Sequence, residues 1–396
     1  MIIGEFSDSY PPLMDGVGGV IKNYTLGLKA QGHDAYILTG GYFNAEEYDR
    51  ENHCQDYVFR MPAKSSKMVY PYGTLKCPRS LLEKLMAIDF DLIHIHSPFY
   101  AGAVGIKIAR AKHIPLVGTF HSLIADDINA VVHSRQITSI AVKWIMRKYY
   151  QCDEVWVPSA ATGKVLAQEP YAFKNEITVM ENGCDMEMPD ALELAAMKQE
   201  AYRLSGTDES VPIVIYVGQH KDAKNIPLVL QSLDLLNRSD VDFRMLFVGV
   251  GPQADEYKQF VKDHSLDSKV KFLGKITDRR MVASLFAISR LFLFPSLYDT
   301  SCLVMREAAC FNLPLAFIEG SCTSEGIKDG YNGYLAQNTP ESFAATVKRA
   351  LDDPEGNLAI GKQARKDLYR SWNDIITENV IKRYERLIAQ NKHDQA

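Results

Sequence analysis

The sequence lacks the cysteine patterns that staple small folds or hold zinc. Seven cysteines occur in 396 residues, an odd number, and no two of them have CxxC spacing. A scattered, odd set of thiols builds neither a disulfide framework nor a cysteine-based zinc site, and it fits a reducing compartment. We therefore expect free thiols in a cytoplasmic protein.

Long apolar runs and a basic charge balance are also missing. No stretch approaches the roughly 20 apolar residues that a membrane-spanning helix needs. The opening MIIGEFSDSY has neither the basic region nor the long apolar core of a signal peptide, so we expect none. The formal net charge of −5 excludes a generally basic nucleic-acid binder, and no nucleic-acid partner is expected.

Short β-branched runs alternate with helical patterns on both sides of a polar, acidic stretch at 184–210. Near-continuous apolar strands separated by helices predict parallel sheets in an α/β fold. Because 396 residues exceed what one core usually supports, we predict two Rossmann-like domains, 1–190 and 191–372. A C-terminal helix, 373–396, is expected to pack back on the first. Ligands of such sheets bind beyond the strands' carboxyl ends, which predicts a site in a cleft between the domains.

Two βα junctions suggest phosphate binding. In MDGVGGVIKNY, glycines precede a helix expected from Val20, and the amides of Gly18 and Gly19 could meet an anion. In YVGQHKDAKNIPL, Lys221 and Lys224 lie at a helix start, where the dipole disfavours cations unless an anion binds there. A plain turn and two solvated lysines are the alternatives.

The stretch FPSLYDTSCLVMREAACF places two acids in a segment that otherwise reads as core. Asp299 lies in the elbow after a strand, and Glu307 lies about two turns into the following helix. The amides of residues 300–304 could hold a diphosphate, Glu307 a ribose diol and Asp299 sugar hydroxyls. Alternatively, Asp299 or Ser301 caps the helix and Glu307 pairs with Arg306 or another neighbour.

These blocks, taken in order, resemble the retaining glycosyltransferases of family 4, which have the GT-B fold. The elbow segment is similar to the family's E-x7-E segment, with Asp299 and Glu307 at the two acidic positions. LVGTFHS is similar to an active-site motif whose histidine matches His121. YVGQHKDAKN and VKFLGKI resemble the phosphate block and the base-binding loop, and the likeness covers nearly the whole chain.

The sequence departs from the family pattern at two positions. The first acid is Asp299, one methylene shorter than the usual Glu, which implies altered hexose selectivity. The usual phosphate-binding Arg is Gln219, which cannot make a bidentate charged contact. Lys224 matches the family lysine, and Lys221 or His220 is expected to supply the missing charge.

The resemblance implies transfer of a hexose from a nucleotide-diphosphate sugar, UDP-glucose first, with retention and with no metal or cofactor. It implies that His121 lies beside the sugar. The expected catalytic residues are His121, Asp299 and Lys224, and the acceptor-side residues are His96 and Asp126. The expected donor-binding residues are Gly18, Gly19, Gln219, Lys221, Lys224, Gly274, Lys275, Ile276, Asp299, Thr300, Ser301, Cys302, Leu303, Val304 and Glu307.

His94 and His96 point to the same face of their strand, a spacing that could also suggest a metal site. No third ligand is evident nearby, so polar packing at the strand end is the expectation. Other readings also stay open. A non-catalytic sugar or nucleotide binder would explain Gln219, and an inverting transferase or epimerase would need Asp126 or Asp127 as a base.

The sequence leaves three classes of acceptor open: a lipid, a glycan or a small molecule. GEFSDSYPPLMDGVGGVIKNY and GTFHSLIADDI most resemble bacterial diacylglycerol glucosyltransferases. Basic residues at 60–84 and a basic helix with an apolar stripe at 133–151 predict peripheral contact with the inner membrane face. A core-facing helix with a solvated basic face is the alternative.

Overall fold

A computed structural model describes residues 1–13, 15–42, 44–64 and 74–395. The chain divides into two compact units, Met1–Gly183 with Trp372–Ala396, and Cys184–Ser371. The division falls after Gly183 and not at residue 190, because the segment that follows bonds to the end of the second unit. Cys184 N–H donates to Arg370 O at 2.8 Å, and Tyr369 Oη donates to Met186 O at 3.0 Å.

The elements alternate between strand and helix along each unit. In the first unit they are β1 (Ile2–Phe6), α1 (Gly16–Ala30), β2 (Asp34–Gly41), α2 (Ala45–Glu51), β3 (Val58–Lys64), β4 (Thr74–Leu75), α3 (Arg79–Met86), β5 (Leu92–Ile95), α4 (Tyr100–Lys112), β6 (Leu116–Thr119), α5 (Ile124–Val132), α6 (Arg135–Tyr149), β7 (Glu154–Val157), α7 (Ala160–Leu166) and β8 (Ile177–Val179). The second unit has α8 (Ala191–Ser205), β9 (Ile213–Val217), a 3₁₀ turn (Asp222–Lys224), α9 (Ile226–Arg238), β10 (Arg244–Val248), α10 (Ala254–Asp263), β11 (Val270–Gly274), α11 (Arg279–Ile288), β12 (Leu291–Phe294), α12 (Leu303–Cys310), β13 (Leu315–Ile318), a 3₁₀ turn (Cys322–Ser324), β14 (Tyr334–Ala336), α13 (Pro340–Asp352) and α14 (Pro354–Leu368). The chain then returns to the first unit with α15 (Trp372–Asp374), a π-helical segment (Ile375–Val380) and α16 (Ile381–Gln395).

The first unit is built on an eight-stranded sheet of order β4-β3-β2-β1-β5-β6-β7-β8. All neighbouring strands are parallel except β3 and β4. Strand β5 is buried along its whole length, as expected for a central strand covered on both faces. The strand order reverses between β1 and β5, so the loops after these two strands define the switch point of this sheet.

The second unit carries a six-stranded, fully parallel sheet of order β11-β10-β9-β12-β13-β14. Its order reverses between β9 and β12, which places the loops after Val217 and Phe294 side by side. The predicted fold class, two Rossmann-like α/β domains, is thereby confirmed. Among the described residues no helix is long and apolar enough to cross a bilayer.

The loop after β9 rests on the glycine-rich loop after β10. Gly218 N–H donates to Val248 O, and His220 N–H donates to Val250 O, both at 3.0 Å. A Cβ added at Gly251 would lie 2.0 Å from the backbone oxygen of His220. Glycine is therefore required there by close approach of two backbones, and the approach fixes the path of residues 218–220.

We expect Gly251→Ala to lower stability by about 1–3 kcal/mol, because the added methyl collides with backbone that cannot yield easily. Gly163→Ala is the matched control. It lies in α7, where a Cβ would meet its nearest atom at 3.7 Å, and alanine favours the helix by up to about 1 kcal/mol. Thermal unfolding of both variants measures the difference, and equal melting temperatures would contradict the packing argument.

Candidate functional site

An ion pair occupies the switch point of the second unit. Lys224, in the turn after β9, donates from Nζ to Asp299 Oδ1 in the elbow after β12. Both side chains are largely buried, with 13% and 17% of their surfaces exposed. Asn225 Nδ2 joins the same two loops by donating to Pro295 O at 3.2 Å. The topology thus brings together two residues that the sequence placed in separate motifs.

Asp299 has one oxygen to spare. Its Oδ2 is buried, and no described residue donates a hydrogen bond to it. A buried acceptor without a partner costs free energy, so native structures rarely keep one without a reason. The helix that follows does not use this carboxylate as a cap, since Cys302 is the N-cap and its Sγ accepts from Met305 N–H at 3.2 Å. Asp299 Oδ2 is therefore a buried acceptor to which no described residue donates.

Glu307 lies in α12 with 9% of its surface exposed. Its Oε1 accepts from Arg279 Nη2 at 2.7 Å, and the same nitrogen contacts Asp185 at 2.5 Å. Burial raises the pKa of Glu307, and the neighbouring Arg279 works against that rise. Arg306, the next residue along the chain, donates from Nη1 to Leu368 O at 2.7 Å. The Arg279 side chain is half exposed, so its ion pair with Glu307 contributes little stability.

The loop after β9 contains Gln219, His220 and Lys221, which differ in their ability to bind an anion. Lys221 places Nζ 5.0 Å from the ring centroid of Tyr298, on the elbow that carries Asp299. Gln219 is exposed, and its carbonyl accepts from Tyr216 Oη at 3.0 Å. His220 is buried among aromatic rings, and burial lowers its pKa to about 4. His220 is neutral at pH 7, so the expectation that it could replace the missing arginine charge is wrong.

The remaining expected donor residues lie at the carboxyl ends of the same sheet. Gly274 ends β11 with a φ of +70° and accepts from Gly249 N–H at 2.8 Å. Lys275 is exposed, and Ile276 packs against the core of the unit. The amides of Leu303 and Val304 open α12, where the first turn of a helix has no internal acceptors. These groups lie at and just after the carboxyl end of β11 and at the start of the helix that follows β12.

The expected amide donors of the first unit are already engaged. Helix α1 begins at Gly16, not near Val20, because Asp15 caps it. Gly18 N–H donates to Asp15 Oδ1 at 2.7 Å, and Gly19 N–H donates to Asp15 O at 3.2 Å. A Cβ at Gly19 would have no atom within 4 Å. Only Gly19 therefore leaves space for a ligand, since a Cβ at Gly18 would lie 3.2 Å from Tyr10 Cα, and the prediction that their N–H groups hold an anion is wrong for this conformation.

A chain of three side chains occupies the switch point of the first unit. His96 Nε2 lies 2.6 Å from Glu5 Oε2, and His96 Nδ1 lies 3.0 Å from His121 Nε2. Tyr384 of α16 donates to Glu5 Oε1 at 3.1 Å. The side chains of Glu5 and His96 have no exposed surface, whereas His121 is partly exposed. His96 therefore reaches a substrate only through His121, which does not fit the direct acceptor-side role expected for it.

His94 completes this cluster. Its Nδ1 lies 2.5 Å from Tyr384 Oη, and its Nε2 lies 2.6 Å from Thr119 Oγ1. The sequence offered no third polar group beside His94 and His96, and that expectation is wrong because Glu5 is adjacent to both. Every ring nitrogen of the two histidines has a hydrogen-bond partner, so we describe the group as a hydrogen-bond network.

Burial keeps this network neutral at pH 7. It raises the pKa of Glu5 to about 8, against which the Tyr384 hydroxyl acts. It lowers the pKa of His96 to about 3 and also lowers the pKa of His121. Asp126, the other acceptor-side candidate, lies in the exposed first turn of α5, where burial and Asp127 raise its pKa. No described contact joins Asp126 to the network.

Sequence reasoning missed Glu5, Tyr384 and Arg279. A signal for Glu5 was present, because it is the single charged residue in the otherwise apolar strand IIGEF. Arg279 and Tyr384 gave none, since both lie on helices whose polar positions look alike until the fold is known.

Two family models match the chain in tandem. The Glycosyltransferase Family 4 model matches residues 14–188, and the Glycosyl transferases group 1 model matches residues 198–367. The first match falls within the first unit apart from its last few residues, and the second lies wholly within the second unit. Both units are thus recognisable from sequence.

Relatives and solved structures agree with this assignment. The alpha-monoglucosyldiacylglycerol synthase of Streptococcus pneumoniae is 23% identical over 367 residues, which cover 90% of this chain and 80% of that enzyme. The GDP-mannose-dependent alpha-mannosyltransferase of Corynebacterium glutamicum is also 23% identical, over 98% of this chain and 90% of the relative. HepE of Anabaena, solved with UDP and with UDP-glucose, has a TM-score of 0.73 at 16% identity, over 97% of this chain and 100% of HepE. That likeness shows a shared GT-B fold.

The protonated Glu5 predicts a pH-dependent stability. A carboxyl whose pKa is raised on folding stabilises the folded state below its unfolded value, about 4.5, and loses that contribution as pH rises through about 8. We expect Glu5→Gln to remove this loss. The stability of the variant relative to the natural protein should rise by several kcal/mol between pH 5 and 8.5, since one pKa unit corresponds to about 1.4 kcal/mol. Parallel pH dependences in denaturant melts would contradict the assignment.

Proposed function

The chain belongs to glycosyltransferase family 4, and from this premise we propose that it transfers glucose from UDP-glucose to a lipid acceptor at an anionic membrane surface. We propose further that the transfer retains the anomeric configuration and needs no metal ion. The observation that carries the proposal is the buried, unpartnered Oδ2 of Asp299 beside Lys224 at the switch point of the second unit.

Asp299 and Lys224 suit two adjacent parts of a nucleotide sugar, the sugar and the diphosphate. The second carboxylate oxygen of Asp299 can only accept hydrogen bonds, and the hydroxyl groups of a sugar supply the donors. Lys224, held against Asp299, places one cation beside the diphosphate. The amides of Leu303 and Val304 and the ammonium of Lys221 add positive charge. Together they stabilise the negative charge that develops on the leaving diphosphate, the task that a metal ion performs elsewhere.

Glu307 is the proposed ribose ligand. A carboxylate accepts two hydrogen bonds from a cis-diol, and the raised pKa from burial is held down by Arg279. Arg279 is half exposed, so it can shift when a ribose arrives at little cost. We propose that the uracil contacts the backbone of Gly274–Ile276, where Gly274 turns the chain away from the strand.

UDP-glucose is the proposed donor because two relatives point to glucose or UDP. One relative is named a monoglucosyldiacylglycerol synthase, and HepE was solved with UDP-glucose. Another relative is named GDP-mannose-dependent, so a donor panel must include GDP-mannose. The neutral Gln219 leaves the diphosphate one cation short of the family pattern. His121 is the first unit's proposed contribution to the transferred sugar.

The acceptor proposal rests on helix α6. Its buried face carries Val142, Ile145 and Met146, whereas Ile137, Ile140 and Trp144 expose 55%, 71% and 60% of their surfaces. The helix thus packs one apolar face on the core and exposes three further large apolar side chains beside its cations. Its sequence contains no acid, and its cations Arg135, Lys143, Arg147 and Lys148 flank the exposed stripe. An apolar stripe among cations matches an anionic lipid surface.

A basic groove lies next to that stripe. Residues of α4 and α6 line an open groove of about 540 Å³ that contains Lys107, Arg110 and Lys148, with no acid among its lining residues. Lys148 also stands 5.7 Å from the ring centroid of Trp144, which links groove and stripe. We propose that a lipid phosphate enters this groove when the stripe meets the membrane.

The second basic segment contributes less than its sequence suggests. Arg60 is held by Asp49 through Nε and Nη2, at 2.7 and 2.6 Å, with about a tenth of its side chain exposed. It is therefore a structural residue and not part of a lipid-facing surface. Lys67 and the side chain of Lys64 lie outside the described residues.

The donor site predicts a graded response in a thermal-shift assay. We expect UDP-glucose to raise the melting temperature, and Glu307→Gln to abolish the shift. Lys224→Ala should weaken binding by roughly 1.5–3 kcal/mol, or about 10- to 150-fold in Kd, the scale of a charged hydrogen bond. Glu341→Gln, an exposed acid in the first turn of α13, is the control and should bind like the natural protein.

Turnover separates an enzyme from a binder in the same experiment. UDP release with added diacylglycerol vesicles should persist in EDTA, and the NMR coupling of the product should report an α-linkage. Binding of UDP-glucose without release of UDP would count against transfer, and loss of release in EDTA would count against a metal-free mechanism. A larger thermal shift with GDP-mannose would replace the proposed base and sugar.

Helix α6 predicts a tryptophan signal on vesicles. Trp144 is exposed, whereas Trp156 and Trp372 are buried, so a blue shift with phosphatidylglycerol vesicles reports α6. Ile140→Ser should weaken binding by at least about tenfold, the scale of one large apolar side chain. Leu192→Ser is the matched control, because Leu192 is 84% exposed on α8 of the other unit. Equal binding of both variants would overturn the α6 assignment.

A further inference from the structure

The strongest unassigned feature is the hydrogen-bond chain from Glu5 through His96 to His121. It begins at a carboxyl group with no exposed surface and ends at a partly exposed imidazole. Nothing in the proposed donor or acceptor contacts uses Glu5, yet a buried acid in a central strand is costly and needs a reason. The chain is continuous, with links of 2.6 and 3.0 Å.

The two links are coupled because each neutral imidazole has one donor and one acceptor nitrogen. A protonated Glu5 donates to His96 Nε2, so His96 Nδ1 carries the hydrogen and donates to His121 Nε2. His121 must then carry its own hydrogen on Nδ1. An ionised Glu5 accepts from His96 Nε2, which reverses both links and leaves a lone pair on His121 Nδ1.

We propose that Glu5 is a positioning residue that selects, through His96, which tautomer His121 presents at Nδ1. When Glu5 is protonated, Nδ1 is a hydrogen-bond donor, and when Glu5 is ionised, Nδ1 is an acceptor. The change from the donor form to the acceptor form releases one proton from the three residues. The proton leaves from Nδ1 of His121, the partly exposed end of the chain, the His96 Nδ1 hydrogen moves to His121 Nε2, and the Glu5 hydrogen moves to His96 Nε2. A fully buried acid can therefore titrate without exposure.

The other titratable groups that face Glu5 keep their protonation states over the pH range of this switch. Tyr24 of α1 packs edge-on against His96 with ring centroids 5.6 Å apart, and Tyr384 of α16 donates to Glu5. Burial raises the pKa of both tyrosines, and it lowers the pKa of His94, whose ring centroid lies 3.9 Å from that of His96. All three stay neutral between pH 6 and 9.5. With the pKa of Glu5 raised to about 8, the donor form of His121 dominates at pH 7.

The consequence for catalysis rests on the proposed function, in which His121 contributes to the transferred sugar. Sugar and phosphate oxygens accept hydrogen bonds, so the N–H form of Nδ1 is the productive one. We infer that kcat/KM falls by about tenfold as pH rises through Glu5 ionisation, the scale of one lost hydrogen bond.

Histidine-selective ¹⁵N NMR of the ligand-free protein tests the relay directly. We expect the His121 hydrogen, assigned from the His121→Gln spectrum, to lie on Nδ1 at pH 6.5 and on Nε2 at pH 9.5. In Glu5→Gln the amide can donate to His96 Nε2 while its oxygen accepts from Tyr384, so the Nδ1 hydrogen should persist at both pH values. The same tautomer at both pH values in the natural protein, or inversion in the variant, would overturn the proposal.

Two further variants keep the test decisive. Tyr384→Phe removes the hydroxyl that stabilises ionised Glu5, so the inversion midpoint should move to higher pH; an unchanged midpoint would exclude Glu5 as the titrating group. This variant also serves if Glu5→Gln does not fold. Glu46→Gln, an exposed acid on α2 of the same unit, should leave the midpoint in place.

The pH profile of UDP-glucose turnover then separates this inference from the proposed function. A fall in kcat/KM above pH 8 that Glu5→Gln abolishes supports both. Tautomer inversion in a protein that turns over no nucleotide sugar supports the relay and overturns the proposed function.

Discussion

Where the connections of two neighbouring parallel strands run to opposite sides of the sheet, a gap opens between the loops at their carboxyl ends. Each unit places polar side chains in such a gap. In the second unit the gap follows β9 and β12, where Lys224 meets Asp299. In the first it follows β1 and β5, where Glu5 meets His96. Main-chain pairing fixes these strands side by side, so the polar contacts follow from the sheets and need not hold them together.

The two gaps manage buried charge in opposite ways. The second unit pairs each of its two acids with a cation, Asp299 with the largely buried Lys224 and Glu307 with the half-exposed Arg279. The first unit removes charge altogether, since burial drives the carboxyl and the imidazoles toward their neutral forms. A site that must meet a diphosphate needs the first arrangement, whereas a site that must orient a proton needs the second.

The positions of the strands and of Asp299 in the elbow after β12 were predictable because they depend on local pattern, whereas Glu5 was missed. The run IIGEFS predicted β1, and the polar elbow before a helix predicted where Asp299 would lie. The start of α1 was not predictable, because the Asp15 carboxylate caps the helix at Gly16 although glycine disfavours helix formation. Nor was the exposed face of α6, since a helix with two apolar faces gives no sign of which one the fold covers.

The place of Tyr384 in the chain has a consequence for biosynthesis. Its hydroxyl bonds Glu5 across 379 residues, and the entire second unit is made between them. Domains generally fold as they leave the ribosome, N-terminal first. The nascent first unit must therefore wait with an unsealed interior while nearly half of the polypeptide is still being translated, an interval in which a chaperone would find its binding surface.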